Sequence, residues 1–259
     1  MAFIRDWFVP KKLLFVCTVT VWSNAAWSAH PLVTEDTGTQ GQGKYQLEMQ
    51  LERGHENEQG ADENSTRFVS VLSWGFHDKT DLILSLPYER VRTTDDGSVS
   101  TVERGRGDVG LDVKWRFYEA GNISLAFKPG IVFPTGDEAR GLGAGKSNYS
   151  LLLISSVELD PWWLHMHLGY LRNRNIVDER GGVRHVSVGG WRTVDKFKFV
   201  FDVGRDTSTD CSVDDRAAFG ILGVIYSLRD DLDLDFGVKW GLRDPEVDRT
   251  LLAGVTVRF

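Results

Sequence analysis

From about residue 44 to the last residue, apolar and polar side chains alternate along the chain with a period of two. In the segment 232–242 every even position holds a large apolar residue, whereas the odd positions hold aspartate, glycine or lysine. A period of two places alternate side chains on opposite faces of an extended strand, and no helical period follows residue 30. The pattern predicts twelve strands, at about 44–54, 66–76, 81–91, 105–118, 122–133, 148–158, 161–172, 183–193, 196–205, 216–228, 231–242 and 249–259.

The connections between the predicted strands alternate between long and short. Each odd-numbered strand is followed by a longer polar segment, and each even-numbered strand by a turn of a few residues. This alternation is typical of outer-membrane barrels, whose short turns face the periplasm. We therefore predict an all-β fold, an antiparallel transmembrane β-barrel of about 12 strands with short periplasmic turns and long extracellular loops. The predicted extracellular loops are 55–65, 92–104, 134–147, 173–182, 206–215 and 243–248.

The alternative fold is a secreted, water-soluble β-sandwich, because antiparallel sheets with one wet face also alternate. The apolar face of the predicted strands favours the barrel, since its tryptophans and tyrosines lie near strand ends, as in the aromatic girdles at membrane interfaces. The chain also ends in an alternating strand that closes on Phe259. This ending resembles the C-terminal signature of bacterial outer-membrane barrels, in which the last aromatic residue is the insertion signal read by the barrel-insertion machinery.

The first 29 residues differ from the rest of the chain. Basic residues precede an apolar stretch at 13–22, and small residues follow at 23–29, which is the pattern of a cleaved secretory signal peptide. The alternative, a short membrane anchor, is disfavoured because the apolar run is about half the length that a spanning helix needs. We predict a signal peptide at 1–29, an N-terminal periplasmic segment at 30–43 and an outer-membrane β-barrel at 44–259, and hence a location in the bacterial outer membrane.

Composition narrows the classes of function. The chain has 30 Lys and Arg against 37 Asp and Glu, a net charge of −7, so it lacks the basic field that nucleic-acid binding needs. Cys211 is the only cysteine after residue 29, which excludes a disulfide within the predicted mature chain. Three glycines at 105, 107 and 110 do not indicate a nucleotide site, because no helix follows them to present its amides to a phosphate.

The polar faces of the predicted strands supply the candidate functional site. Twelve tilted strands form a backbone cylinder roughly 24 Å across, and inward side chains reduce the open lumen to about 10 Å or less. Residues 38–43 are too few to fill such a lumen, whereas the loop 134–147 is long enough to fold into it. The inward charges are of both signs and also fit wall pairs that hold neighbouring strands in register. The predicted lumen-lining residues are Asp108, Asp112, Lys114, Arg116, Lys128, His165, His167, Asp202, Asp233, Asp235, Lys239 and Arg258.

Two histidines on one strand face are the strongest candidates for metal or catalytic chemistry. His165 and His167 lie about 7 Å apart along the predicted strand and could hold a metal or act as a general base. His185 is expected about 10 Å from His167, too far for a third ligand. We therefore predict wall-lining histidines with no metal, no cofactor and no catalytic residues.

Three segments resemble one known family of barrels. They are 30–41, which begins HPLVTEDTGTQG, 105–117, which reads GRGDVGLDVKWRF, and 129–137, which runs from Pro129 and Gly130 to Gly136 and Asp137. They resemble, in the expected order, the transporter-type barrels usually labelled "MetA-pathway of phenol degradation" proteins. The resemblance implies an outer-membrane channel for passive uptake or efflux of small solutes, among them aromatic or other hydrophobic compounds. A barrel that binds or modifies lipid, or a closed structural barrel, remains the alternative. The expected partners are outer-membrane lipid and lipopolysaccharide, the insertion machinery and a small-molecule solute.

Overall fold

A computed structural model describes residues 30–58, 61–95, 98–172, 174, 181–207, 217–243 and 246–259. The predicted signal peptide at 1–29 and Cys211 lie outside the described residues. Within them, no helix is long and apolar enough to cross a membrane. The described part of the chain forms one short 3-10 helix, Glu138–Arg140, and thirteen strands: β1 (Tyr45–Glu58), β2 (Ala61–His77), β3 (Thr80–Asp95), β4 (Ser98–Arg106), β5 (Val109–Ala120), β6 (Ile123–Phe133), β7 (Asn148–Leu159), β8 (Trp162–Arg172), β9 (Val183–Val194), β10 (Phe197–Asp206), β11 (Ala218–Arg229), β12 (Leu232–Arg243) and β13 (Arg249–Arg258).

The strands close into one antiparallel barrel. Neighbours in sequence pair with each other from β5 to β13, and β13 pairs with β1, which closes the sheet. Strands β4 and β5 both pair with β3, along successive parts of its length, so they share one position in the wall. The barrel therefore has twelve positions, which confirms the predicted transmembrane β-barrel.

Two of the predicted loops are largely strand. The segment 55–65 continues the β1–β2 hairpin up to the pair Glu58 and Ala61, and the segment 92–104 contains most of β4, which pairs with β3. These hairpin arms carry mostly polar and charged residues on both faces. The apolar period that marks a strand in the sequence is therefore missing, although the backbone ladder continues.

We call the two ends of the barrel the turn end, with short turns at 78–79, 121–122, 160–161, 195–196 and 230–231, and the loop end, where the β1–β2 and β3–β4 hairpins and the longer connections such as 134–147 lie. The outward face between them is apolar, and large side chains such as Phe236 and Leu222 are more than half exposed. Tyr88, Tyr149 and Tyr170 form an aromatic girdle at the loop end. A water-soluble sandwich would bury such a face, so the apolar belt is the lipid-facing surface.

The free-energy cost of a charged side chain on the lipid-facing belt should depend on its depth in the membrane. Phe236 lies at mid-strand in β12, and Leu242 lies near the loop end of the same strand. We expect Phe236→Arg to lower the free energy of unfolding from lipid vesicles by about 2–4 kcal/mol, and Leu242→Arg by about 0–1 kcal/mol. Urea titration of both variants in the same vesicles checks this. Equal costs at the two depths would contradict the assigned membrane position.

Candidate functional site in the barrel interior

The twelve predicted lumen residues all lie on the inner side of the wall. Eleven of them alternate with the lipid-facing residues of their strands, and Asp108 lies between β4 and β5. Arg116, Lys239 and Arg258 keep part of their side chains accessible to solvent. The other nine are less than a tenth exposed, and they are Asp108, Asp112, Lys114, Lys128, His165, His167, Asp202, Asp233 and Asp235. Lys239 is only partly buried but is ion-paired inside the barrel.

The chain before β1 runs through the barrel interior. Residues 30–40, which we call the inner segment, make hydrogen bonds or ion pairs to inward residues of β3, β5 to β10 and β12. We expected 30–43 to be a periplasmic segment, and the structure instead places residues 30–37 in the barrel interior. Residues 38–43 alone are too few to fill the lumen, but the eight residues before them also enter it. The sequence gives no sign of this, because residues 30–37 have neither the apolar period nor the length of a recognisable element.

The start of the inner segment packs against two inward glycines of the barrel wall. His30 contacts the carboxylate of Asp235, and Pro31 lies over Gly223 and Gly237. A Cβ atom added at Gly223 or Gly237 would come within 2.9 Å of the Pro31 ring. These inward glycines therefore leave the space that the inner segment occupies.

The next residues are held by apolar packing and by one carboxylate. Leu32 packs in a buried cluster with Trp191, Val200 and Ile225. Asp202 accepts hydrogen bonds from the backbone N–H groups of Val33 and Thr34, each at 2.7 Å, and from the Thr34 hydroxyl at 2.6 Å. Backbone donors left unpaired inside a protein are costly, so Asp202 stabilises this part of the inner segment and does not face an open lumen.

Glu35 is the ionic centre of the interior. Its Oε1 lies 2.5 Å from Lys128 Nζ and its Oε2 lies 2.9 Å from Lys114 Nζ. Glu35 and Lys128 are fully buried. Asp36 follows at 3.8 Å from Lys114. Burial would raise the pKa of the Asp36 carboxyl, but Lys114 and other nearby positive charge hold that pKa below its usual value.

The end of the inner segment reaches the opposite side of the lumen. The Thr37 N–H donates to Ser156 Oγ at 3.1 Å, and the hydroxyls of Thr37 and Ser124 lie 2.6 Å apart. The Gln40 N–H then donates to the Asp81 carboxylate on β3. The inner segment thus spans the lumen from β12 to β3 before the chain enters β1.

The histidines are closer together than the sequence predicts. The rings of His167 and His185 lie 4.5 Å apart, not about 10 Å, because β8 and β9 pair His167 with Ser187 and Gly169 with His185. In this register the two rings become diagonal neighbours on one face. Within the described residues, no group of three or more His, Cys, Asp or Glu side chains is arranged to hold a metal ion.

The hydrogen bonds of His167 bear on the general-base alternative. Its Nδ1 accepts the backbone N–H of Glu35 at 3.0 Å, so the ring hydrogen must be on Nε2, which lies 3.1 Å from Ser187 Oγ. In this tautomer Nε2 donates to Ser187 and cannot take its proton. His167 therefore positions the inner segment and does not activate Ser187. The absence of catalytic residues elsewhere stays a prediction.

A cavity of about 780 Å³ lies between the inner segment and the turn end. Trp163 and Trp191 line it as a stacked pair, with ring centroids 5.8 Å apart, and Lys198 Nζ lies 5.6 Å from the Trp191 ring. Among the described residues, the buried Nε2 of His165 has no hydrogen-bond partner, and His165 also lines the cavity. Trp163 shares the inward parity of His165 and His167, but it was not among the predicted lumen-lining residues, which are all charged residues or histidines.

At the loop end, the lumen is narrowed by the loop 134–147 and by the last loop. Asp108 accepts the backbone N–H groups of Gly136, at 2.8 Å, and Ala144, at 2.7 Å. Leu142 and Ala144 are buried, so the loop 134–147 folds inward as its length allowed. Lys239 pairs with the buried Glu246 of the last loop at 2.7 Å. Asp108 therefore fixes a loop rather than lining an open mouth.

The fold is similar to that of solved outer-membrane barrels. The crystal structure of the COG4313 outer membrane channel from Pseudomonas putida F1 matches with a TM-score of 0.72 and 17% identity, over 86% of this chain and 98% of that one. The NanC porin matches with a TM-score of 0.53 and 11% identity, over 81% and 98% of the two chains. The KdgM porin matches with a TM-score of 0.53 and 9% identity, over 83% and 99%.

Similarity in sequence, unlike similarity in fold, bears on the family to which the chain belongs. No curated protein matches the chain significantly. A family model matches residues 32–259, a range that includes most of the inner segment and the whole barrel. The three motifs noted in the sequence fall almost entirely within that range. The chain therefore belongs to the family described as "Putative MetA-pathway of phenol degradation".

Proposed function

We propose that the protein is an outer-membrane channel for small solutes, in which the inner segment restricts the passage. The observation that carries this proposal is the polar, charged barrel interior with a cavity of about 780 Å³ that reaches the turn end, where Asp230 and Asp231 line it. A barrel with a purely structural role has no need of so many buried charges, because burying a charge is costly unless it is paired. The names of the structural neighbours, a channel and two porins, support the same class.

The chemistry of the cavity favours an aromatic anion as the solute. The Trp163–Trp191 pair offers aromatic surface, and Lys198 has no ion-pair partner in the described part of the chain. Stacking on tryptophan together with an ammonium group suits a flat ring that carries a carboxylate. The family description, which refers to phenol degradation, is consistent with this solute class.

Conductance measurements test the channel. Wild-type protein in a planar bilayer should carry a current, and benzoate should block that current at lower concentration than acetate does. We expect Lys198→Gln to weaken the block by benzoate several-fold and to weaken the block by acetate as well, because both solutes carry the carboxylate that the Lys198 ammonium group would bind. Lys196→Gln, in the exposed turn beside it, is the matched control. Absence of current from correctly folded wild-type protein would remove the channel proposal and favour a lipid-binding or structural barrel.

A further inference from the structure

We propose that five arginines on the outer surface of the loop end form a binding site for the phosphate groups of lipid A in lipopolysaccharide. The group, which we call the rim arginine patch, consists of Arg53, Arg90, Arg92, Arg104 and Arg106 on β1, β3 and β4. The inference rests on the outer-membrane location proposed above and is independent of conduction.

Strand register places the rim arginine patch on the lipid-facing side. Arg106 pairs with Tyr88, a residue of the aromatic girdle whose side chain is 47% exposed on the outer face. Arg90 and Arg92 follow Tyr88 in steps of two, so they lie on the same face. All three arginines are exposed.

Three of these arginines lie at the same height on neighbouring strands of the wall. Arg90 pairs directly with Arg104 on β4 and with Thr66 on β2, and Thr66 pairs in turn with Arg53 on β1. Arg53 and Arg90 are therefore two strands apart, about 10 Å, and Arg90 and Arg104 are neighbours. Arg53 and Arg104 are exposed as well.

Within the described part of the chain, no ion pair neutralises this charge. Among the described residues, the arginines in ion pairs are Arg67, Arg116, Arg140, Arg229 and Arg258, and none of these belongs to the rim arginine patch. Like charges directly opposite each other on adjacent strands are destabilising, so the Arg90–Arg104 pair costs free energy in the isolated barrel. An anion between the two side chains would remove that cost.

The level of the rim arginine patch identifies the anion. Aromatic girdles mark the depth at which the membrane interface begins, and the patch lies beside and just beyond Tyr88 on the loop end. In an outer membrane this leaflet is built from lipopolysaccharide, whose lipid A carries phosphate groups at that depth. The planar guanidinium group donates two parallel hydrogen bonds to a phosphate, which suits arginine better than lysine.

The turn end lacks this arrangement. Its short turns carry charges of both signs, and Arg229 there pairs with Asp231 at 3.0 Å. Arg192 lies on the outer face at the turn end, 5.8 Å from the Trp162 ring. A concentration of arginine at the loop end fits a leaflet-specific ligand rather than general attraction to anionic lipid.

Binding of purified lipid A to the full mature protein in dodecyl maltoside micelles tests the site. We expect wild-type protein to bind bisphosphorylated lipid A at least ten times more tightly than dephosphorylated lipid A. The variant Arg90→Gln/Arg104→Gln/Arg106→Gln should lose this preference. The control Arg192→Gln/Lys196→Gln removes two charges from the turn end and should keep it. Unchanged binding by the triple variant, or equal binding of the two lipids by wild type, would overturn the proposal.

Two further measurements identify the source of the phosphate and detect misfolding. Phosphatidylglycerol and inorganic phosphate should compete poorly with lipid A, and full competition by either would overturn the assignment to lipid A. In lipid-free micelles the triple variant should melt no lower than wild type, because the opposed charges are gone, whereas added lipid A should raise the Tm of wild type alone. A lower Tm for the variant under both conditions would show a structural role and contradict the site.

Discussion

Removal of residues 30–37 is expected to raise the single-channel conductance several-fold. These residues cross the lumen between β12 and β6, and their deletion exchanges buried side chains for water over the middle of the barrel. The wall itself should remain closed, since none of the strand pairings that close the barrel involves these residues. Planar-bilayer recordings of the deletion variant, with residues 1–29 (the predicted signal peptide) retained, give the measurement.

A cross-link supplies the opposite test of the inner segment. The hydroxyl oxygens of Thr37 and Ser124 lie 2.6 Å apart, so Thr37→Cys with Ser124→Cys, in a Cys211→Ser background, provides a pair that can be oxidised in place. Locking the inner segment to the wall should keep the conductance at or below that of wild type. If the deletion variant conducts no better than the locked protein, the inner segment does not restrict the passage.

The second large effect is expected at Glu35. Glu35→Gln leaves the buried ammonium groups of Lys114 and Lys128 without the carboxylate that both contact. Removing one partner of a buried ion pair costs about 3–5 kcal/mol, since the remaining charge stays away from water. We expect a loss of that size in the free energy of unfolding, measured by urea titration in lipid vesicles.

Two matched variants separate charge from shape at this centre. Asp36→Asn removes the adjacent carboxylate, which lies 3.8 Å from Lys114 and keeps some exposure, and should cost less than about 1 kcal/mol. Glu35→Gln combined with Lys128→Met removes one of the stranded charges and should recover part of the loss. A cost for Glu35→Gln no larger than for Asp36→Asn would show that the centre is hydrated.

The inner segment also gives the interior charges a role that differs from solute selection. Asp202, Lys114 and Lys128 contact residues 33–35 rather than an open lumen. Ion preference should then depend mainly on charges at the turn-end cavity, such as Lys198 and Asp231. Displacement of the inner segment would expose the deeper charges to water, so conductance and ion preference should change together in the deletion variant.

The barrel itself could be predicted from the sequence because its signal is local. A strand with one face in lipid and the other inside a barrel must alternate, and each step of two repeats the choice. The apolar belt and the inward position of residues such as Lys128 and Asp235 follow from that parity. The same signal fails for β4 and for the outer halves of β1 and β2, where both faces are polar and the ladder continues unseen.

Contacts between residues far apart in the chain were decided by the tertiary structure alone. His30 meets Asp235 across 205 positions, and Glu35 meets Lys128 across 93, through a segment that has no period of its own. The diagonal approach of His167 and His185 depends on the register of β8 and β9, and the rim arginine patch depends on the pairing of β1 to β4. Alternation determines which face a side chain takes, but strand register and the path of the inner segment determine which side chains meet, because both are set by the closed barrel as a whole.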